Sequence, residues 1–449
     1  MTTKSKLLAA ALGALVLAGA AAPGFAQPPA TPPAAVAPAA SLTPAQRAAV
    51  LAEIRAKVSQ LYVFPERRAA IVAALTNAEK AGRYNLDSSA AFAEAVSEDL
   101  AASSHDKHMY LLADPAEYAA LSAPAATAEA EAQAFWRERA LSDNHGLTEM
   151  KILPGNVRYL KIAGFHWIDD ETGQAYDDAM RFLRGGDAVV IDLRGNGGGS
   201  GAAVNYLTSH FMKPGALLLT FTRASETPEQ SRAREFLPAG RLIGKPLYVL
   251  TDGGCFSACE EFAYHVQQFR LGERIGTTTG GGANNNDQMP IAPGFVLSVS
   301  AGRPVHAVSG TNWEGVGVKP DVDASPTQAL DVALKRALTG LAASTTATAR
   351  QRENYAWALI DAEARLRPVT LAPERLQALA GRYGGAEISF RDGSLWLTRA
   401  DRPERQLIPL DDKGLFAAEG AANLRARFVP GALELTWQGD PEPVRLARH

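Results

Sequence analysis

Two short apolar runs, each followed by a turn and a helical pattern, limit what this chain can fold into. Residues 188–193 and 247–250 are almost wholly apolar, which is typical of strands buried on both faces of a sheet. Helical patterns follow these runs over residues 201–212 and 257–269. This alternation of strand and helix predicts an α/β core.

The segments outside this core carry different patterns. Three helical stripes open the chain after residue 40, and Thr43 with Gln46 can form a capping box at the first of them. Near the end, Asp392-Gly393 and Pro430-Gly431 each separate two apolar runs, which is a hairpin pattern. The predicted units are an N-terminal helical domain at 41–115, a connector at 116–155, the α/β core at 156–342, a helical connector at 343–369 and a small antiparallel β-domain at 370–449.

The first forty residues resemble an export signal and a linker. Lys4 and Lys6 precede an apolar run that ends near residue 22, and small residues follow up to Ala26. We predict a signal peptide over 1–26, with a retained membrane anchor as the alternative, and a Pro/Ala-rich linker over 27–40. We therefore expect an exported protein, periplasmic or secreted, with no membrane span in the mature chain.

The composition of the chain argues against several classes of protein. The formal net charge is −3, and no basic stripe with interleaved aromatic residues is present, so we expect no nucleic-acid partner. The chain has two cysteines, too few for a disulfide scaffold or a Cys-rich zinc module. We expect no cofactor, and the sequence leaves the oligomeric state open.

Ser257 is the candidate nucleophile. It lies where the apolar run 247–250 and its turn lead into a helix. Unpaired N–H groups and the positive end of the helix dipole favour negative charge there. A serine at this place needs a base to become nucleophilic. On spacing alone, an N-cap serine is the commoner explanation.

A glycine-rich turn follows the other buried run. Residues 195–199 read Gly-Asn-Gly-Gly-Gly, and such a turn can aim backbone N–H groups at an anion. It lacks the Lys-Ser/Thr end of a P-loop and the spacing of a dinucleotide site. An oxyanion hole beside Ser257 and a phosphate site both fit. We interpret Asp192 and Arg194 as a structural pair that supports the turn.

The candidate base and acid lie far apart in the chain. His105 and His108 follow the third helix, and either could act as a base. Together with Asp106 they could instead bind a metal, although no HExxH-type spacing supports one. Glu314 lies in a glycine-rich loop and could orient a histidine; by default it is a solvated carboxylate.

Taken in order, these segments resemble the tail-specific (C-terminal processing) serine peptidases, in the branch of the interphotoreceptor retinoid-binding protein and the tricorn core protease. The resemblance covers about residues 45–340. It rests on these segments: Leu61-Tyr62-Val63-Phe64-Pro65, Asp106-x-His108, Leu153-Pro154-Gly155-Asn156, Asp192-x-Arg194-x-Asn196-x-Gly198-Gly199 and Phe256-Ser257-Ala258-x-Glu260.

The resemblance implies a fold and a set of roles. The core would be a spiral of the crotonase or ClpP type. Ser257 would be the nucleophile, His108 the general base and Glu314 the supporting acid. The backbone N–H groups of Ala258 and of the Gly198-Gly199 turn would form the oxyanion hole. The reaction would be hydrolysis of peptides or protein C-termini through an acyl-enzyme.

Two departures from the family pattern affect these roles. Members with a lysine dyad carry a lysine about two dozen residues after the serine, but residues 278–282 read Thr-Thr-Gly-Gly-Gly, which favours the histidine mechanism. Tricorn-type members place a serine before the histidine, where this chain has Lys107. A non-catalytic binding protein for an apolar ligand is the alternative function, and hydrolysis of a non-peptide ester or amide is a third.

Cys255 and Cys259 flank the candidate nucleophile. In an exported protein they could form a disulfide. Side chains four residues apart on a regular helix seldom have the direction that a disulfide needs, and free cysteines commonly pack as small apolar residues. We therefore predict two free, poorly accessible thiols.

Overall fold

The computed structural model describes residues 41–223 and 226–449. The predicted signal peptide over 1–26 and the linker over 27–40 lie outside the described residues. In the described ranges, no helix combines the length and the apolar character needed to cross a membrane.

The described part of the chain begins with helices that pack on one another. Thr43 Oγ1 accepts a hydrogen bond from the N–H of Gln46 at 3.2 Å, and Gln46 Oε1 accepts one from the N–H of Thr43 at 2.9 Å, so the predicted capping box is confirmed. The elements of this part are α1 (Pro44–Leu61), α2 (Pro65–Lys80), α3 (Ser89–Ser104), β1 (Tyr110–Ala113), α4 (Pro115–Ser122) and α5 (Ala125–Ser142).

The α/β part that follows is built from two sheets. Its elements are β2 (Leu147–Leu153), β3 (Val157–Ile162), α6 (Asp170–Arg184), β4 (Ala188–Asp192), α7 (Gly201–Ser209), β5 (Leu217–Arg223), β6 (Glu229–Arg232), β7 (Leu247–Thr251), α8 (Ala258–Gln268), β8 (Glu273–Gly276), β9 (Asn285–Ile291), β10 (Phe295–His306) and β11 (Val322–Asp323).

The first sheet has the strand order β11-β8-β7-β4-β3-β2. Its neighbours are parallel except for β2, which runs antiparallel to β3. Every residue of β4 and β7 is buried. Helices α6, α7 and α8 cover one face of this sheet. The prediction of an α/β core with strands buried on both faces is thus confirmed, and the carboxyl ends of β4 and β7 lie side by side.

The second sheet joins the N-terminal helices to the core. Its strand order is β1-β10-β5-β6, and β9 also pairs with β10. Phe92 on α3 contacts Phe295 on β10 with ring centroids 5.6 Å apart. Apolar side chains of α1–α3 form one buried cluster with β1, β9 and β10. The segment between α3 and β1, which carries both candidate histidines, is therefore anchored directly on the core.

The C-terminal part contains helices and one antiparallel meander. Asp392 and Gly393 have positive φ values of 50° and 77° at the β13–β14 turn, and Gly431 has 72° at the β17–β18 turn, so both predicted hairpins are confirmed. The elements are α9 (Ala329–Ala343), α10 (Ala349–Leu366), α11 (Pro373–Leu379), β12 (Gly381–Tyr383), β13 (Ala386–Arg391), β14 (Ser394–Arg399), β15 (Arg402–Pro409), β16 (Leu415–Ala418), β17 (Ala421–Val429), β18 (Ala432–Trp437) and β19 (Val444–Ala447).

This meander curls almost into a barrel. Its strands pair in chain order from β12 to β19, and a bridge between Tyr383 and Arg448 brings the first strand to the end of the last. Helices α9 and α10 cover the second face of the first sheet. Helix α10 also contacts the meander, where Asp361 of α10 forms an ion pair with the buried Arg425 of β17.

Candidate active site

Ser257 stands at a sharp turn between β7 and α8. Its backbone angles are φ 54° and ψ −121°, a conformation that costs a non-glycine residue about 1–3 kcal/mol. The turn is held by hydrogen bonds from Cys255 N to Asp252 O at 3.0 Å and from Phe256 N to Asn196 O at 3.1 Å. A strained serine between a strand and a helix is the geometry of a nucleophile elbow.

The glycine-rich turn after β4 lies directly against this elbow. A Cβ atom on Gly198 would lie 2.9 Å from Ser257 Cβ and 3.1 Å from Ala258 N, and one on Gly199 would lie 2.1 Å from Phe165 O. Both glycines have positive φ, 105° and 131°. Only residues without a side chain fit here, and the space left free adjoins the nucleophile and the first N–H group of α8.

Two backbone donors of this region are available for an anion. The N–H of Gly198 donates to Asn196 Oδ1 at 2.8 Å and is therefore occupied. The N–H groups of Gly199 and Ala258 have no acceptor within the described part of the chain. Ala258 is also the first residue of α8, where the helix dipole favours negative charge. Of the three residues predicted for an oxyanion hole, Gly199 and Ala258 thus have free donors, and Gly198 provides space.

The structure brings His108, and not His105, to the elbow. His105 ends α3 in a left-handed conformation with φ 56° and is exposed. His108 is buried, and its ring lies on the ring of Phe256 with centroids 4.8 Å apart. Its carbonyl oxygen accepts a hydrogen bond from Ser298 Oγ at 2.5 Å. No hydrogen bond joins the His108 ring to Ser257 Oγ in the described residues; such contacts often tighten only when substrate binds.

Two carboxylates lie beside the His108 ring. Ligand atoms of Asp106, His108 and Glu314 lie within 4.8 Å of one another, and Asp106 Oδ1 is 4.0 Å from His108 Nδ1. Glu314 Oε2 accepts from the N–H groups of Ala283 and Asn284 at 2.7 and 2.9 Å. His108 Nδ1 and Glu314 Oε1 are buried without a partner. The three side chains could offer a cation one atom each, but the same geometry can orient a histidine.

The sequence interpretation named Asp106 only as a possible metal ligand and as part of the family signature, and missed it as an acid that can orient His108. Its Oδ1 accepts the N–H of His108 at 2.9 Å, and its Oδ2 accepts from Asn284 Nδ2 at 2.8 Å. A carboxylate that accepts the backbone N–H two residues later is an Asx turn. The Asp-x-His spacing was therefore the available signal, since such a turn brings the carboxylate close to the histidine.

Burial changes the acid–base properties of this group. The pKa of His108 is lowered from 6.5 because burial disfavours the imidazolium, although the negative charge of Asp106 opposes the change. Burial, and then the charge of Asp106, raises the pKa of Glu314 to about 7. At neutral pH His108 is therefore an unprotonated imidazole that can accept a proton.

Glu260 forms hydrogen bonds both with the elbow and with the loop of residues 279–282. Its Oε1 accepts from Thr279 Oγ1 at 2.5 Å and from Gly281 N at 2.6 Å. Its Oε2 accepts from Gly282 N at 2.7 Å and from Ser257 N at 3.1 Å. A fully buried side chain thus fixes the backbone of the nucleophile and the loop together.

We expect Glu260→Gln to lower the free energy of unfolding by about 2–4 kcal/mol, because an amide NH₂ at either position would face two donors and leave them unpaired. The exposed Glu94→Gln on α3 is the matched control and should change stability by less than about 0.5 kcal/mol. Urea unfolding of both variants measures this. Equal stability of the two variants would remove Glu260 from the support of the elbow.

The prediction of two free thiols at the elbow is wrong. Cys255 and Cys259 form a disulfide, with Cα atoms 5.4 Å apart. The prediction rested on the usual packing of free cysteines as apolar residues and on the poor side-chain direction in a regular helix. The segment instead spans a strand-to-helix turn, where Ser257 bends the chain with its positive φ and brings the two cysteines together. The predicted pair of Asp192 and Arg194 is confirmed as an ion pair at the end of β4.

A cavity of about 570 Å³ opens beside the glycine turn. Its lining includes Gly201 and side chains of both charges, among them Arg223, Glu226 and Glu229. A larger cavity of about 770 Å³ lies elsewhere, between α10 and the loop before β7, and contains none of the candidate site residues. Neither Ser257 nor any other predicted site residue lines the smaller cavity, which lies next to the glycine turn at the start of α7.

Comparison with known proteins finds one family. Residues 156–324 match the model of peptidase family S41. A carboxy-terminal-processing protease of Bartonella bacilliformis is 30% identical over 134 residues, which cover 30% of each protein; the matched part thus spans less than a third of that relative.

Solved structures give weaker similarities. A lipoprotein from Streptococcus agalactiae has a TM-score of 0.44 and 15% identity, over 67% of this chain and 98% of that one. The photosystem II D1 C-terminal processing protease has a TM-score of 0.41 and 16% identity, over 64% of this chain and 94% of that one.

Proposed function

We propose that this chain, whose residues 156–324 belong to peptidase family S41, is a serine peptidase that hydrolyses peptide bonds through an acyl-enzyme on Ser257. The observation that carries the proposal is the elbow itself. A serine held at φ 54° stands beside two free backbone donors, and its neighbour Phe256 contacts the ring of the buried His108. A structural N-cap serine needs none of these features.

The reaction follows from these positions. Ser257 Oγ bonds to the peptide carbonyl carbon while its proton passes to His108. The carbonyl oxygen becomes negative and is stabilised by the N–H groups of Gly199 and Ala258. When the intermediate collapses, the C–N bond breaks and the leaving amine takes the proton from His108. Water then attacks the carbonyl carbon of the ester while its proton passes to His108. The bond between this carbon and Ser257 Oγ breaks, and Oγ takes the proton back from His108.

The acids behind the histidine have distinct tasks in this scheme. Asp106 and Glu314 lie beside Nδ1, so either can stabilise the imidazolium that forms when His108 accepts a proton. Lys107 does not take part in stabilising the imidazolium. Its Nζ instead donates a hydrogen bond to Gly280 O at 2.6 Å. Histidine-based chemistry is accordingly what we propose, with Glu314 as a supporting acid and Asp106 as a second one.

The substrate we propose is a peptide or a protein C-terminus. The name of the Bartonella relative, a carboxy-terminal-processing protease, supports this choice. The cavity beside the glycine turn has charged walls from Arg223, Glu226 and Glu229. Such walls suit the polar backbone and ends of a peptide better than the apolar ligand of the alternative, a non-catalytic binding protein.

Location and architecture form part of the same proposal. We propose an exported protein, periplasmic or secreted, cleaved after Ala26; the disulfide between Cys255 and Cys259 supports an oxidising compartment. The parallel order of β3, β4, β7 and β8 supports a spiral core of the crotonase type. The boundaries at residues 115, 155, 342 and 369 stay proposals for the extent of the units.

A fluorophosphonate probe tests the proposed function directly. We expect the purified chain to be labelled once, on the peptide that contains Ser257, because only an activated serine attacks such a probe. Intact and tandem mass spectrometry locate the label. A folded protein that stays unlabelled, or carries the label on another serine, would contradict the assignment.

We also expect a defined pH dependence. Because the neutral form of His108 accepts the proton, kcat/KM should rise with pH, and burial puts the midpoint below the ordinary value of about 6.5. A second, smaller inflection near the Glu314 pKa of about 7 should disappear in Glu314→Gln. The profile of hydrolysis between about pH 4 and 9 measures both. A rate independent of pH over that range would exclude His108 as the base.

A further inference from the structure

The disulfide brackets the nucleophile symmetrically. Cys255 lies two residues before Ser257 and Cys259 lies two residues after it, and both cysteines are fully buried. The bond therefore closes a ring of five residues with Ser257 at its centre. It joins the turn after β7 to the first turn of α8, the two elements whose meeting creates the strained serine.

Each end of the ring is fixed to a different part of the core. Cys255 N donates to Asp252 O at 3.0 Å, and Cys255 O accepts from Gly280 N at 2.9 Å, which ties this end to the 279–282 loop. Cys259 belongs to the apolar cluster beneath α8, and its Sγ lies 3.6 Å from Leu193 O at the end of β4. The disulfide thus links the loop, the elbow and the strand that leads to the glycine turn.

A stabilising crosslink is a poor explanation for so small a ring. A disulfide restricts the unfolded chain mainly through the loop that it closes, and the restriction grows with loop length. Five residues restrict the unfolded chain very little. The effect of the bond must therefore lie in the native state, where the first turn of α8 could otherwise unwind and let Ser257 relax to a negative φ.

We propose that the disulfide between Cys255 and Cys259 is a positioning element of the catalytic machinery, which holds Ser257 at its positive φ and keeps its Oγ aligned with His108 and the free N–H groups of Gly199 and Ala258. This inference rests on the proposed peptidase function. It assigns to the two cysteines an effect on the rate of acylation and little effect on substrate binding, since both side chains are fully buried and cannot contact a bound peptide.

The double variant Cys255→Ala/Cys259→Ala tests this. We expect kcat and the rate constant of fluorophosphonate labelling to fall by about tenfold to a hundredfold, because a small misplacement of a nucleophile has effects of that order. KM should stay within about threefold, as expected when only the chemical step is affected. Val266→Ala, a buried truncation further along α8, is the matched control; it should lower Tm similarly and leave both rates within about twofold.

The wild-type chain provides a second comparison in which no side chain is lost. The protein is reduced with a phosphine, thiols are counted by mass spectrometry, and labelling rates are compared before reduction, after it and after reoxidation. We expect the rate to fall with the bond and to return with it, and this result decides the matter even if the double variant does not fold.

The outcomes separate the two proposals. Equal labelling of the oxidised and reduced wild type, or two free thiols in the purified protein, would overturn the positioning role and leave the peptidase function intact. An oxidised wild type that does not label at all would instead contradict the proposed function.

Discussion

Replacing Ser257 by alanine should lower kcat by about 10⁴- to 10⁶-fold, as the loss of a triad nucleophile does in serine peptidases. The fold should survive, because alanine tolerates φ 54° no worse than serine and the hydrogen bond between Ser257 N and Glu260 is made by the backbone. Hydrolysis of a peptide mixture under saturating conditions gives kcat, and thermal unfolding gives Tm.

A second serine separates catalysis from helix capping. Ser88 caps α3, where its Oγ accepts the N–H of Ala91 at 3.4 Å, far along the chain from the elbow. Ser88→Ala should cost about 1 kcal/mol of stability and leave hydrolysis unchanged. If Ser257→Ala behaved like Ser88→Ala, losing stability but keeping activity within about tenfold, then Ser257 would be an ordinary cap.

Sequence patterns predicted the elements whose conformation is set by residues close to one another in the chain. The runs at 188–193 and 247–250 became β4 and β7 because a strand buried on both faces needs apolar side chains throughout. The hairpin turn at Asp392-Gly393 was predictable because positive φ at two successive positions favours this dipeptide. The capping box at Thr43 has a fixed spacing and was equally predictable.

Long-range pairing was beyond such reasoning. Residues 285–306 form β9 and β10, and their pairing with β1 and with the N-terminal helices has no local pattern. The sequence interpretation therefore treated residues 41–115 as a separate helical unit and did not foresee that β1, which follows His108, pairs with the core strand β10. Only the family resemblance placed His108 beside Ser257.

The sequence predicted those parts of the candidate site that directly follow a buried strand. Ser257 and the Gly198-Gly199 turn follow buried strands, so their proximity follows from neighbouring strands ending at one edge. Three of the four hydrogen bonds of Glu260, and the approach of Asp106 to Glu314, join residues far apart in the chain. The disulfide was missed because free cysteines commonly pack as apolar residues and because the distance across the turn at Ser257 does not follow from the sequence.

We expect the second large loss of activity when the proposed general base, His108, is replaced. His108→Ala should lower kcat by about 10⁴- to 10⁶-fold, comparable with loss of the nucleophile, because the two act as a unit and their effects do not add. The double variant with Ser257→Ala should accordingly be no slower than either single one. The steep pH dependence of the wild type should vanish from the residual rate, since no imidazole then titrates at the elbow.

His105 provides the matched control for the base. It is exposed at the end of α3 with φ 56°, a conformation that asparagine accepts readily. His105→Asn should therefore keep both Tm and kcat of the wild type. Activity lost in His105→Asn and kept in His108→Ala would reverse the assignment of the base. Loss in both would mean that the segment between α3 and β1 acts through its conformation, because His105 lies outside the group that His108 forms with Asp106 and Glu314.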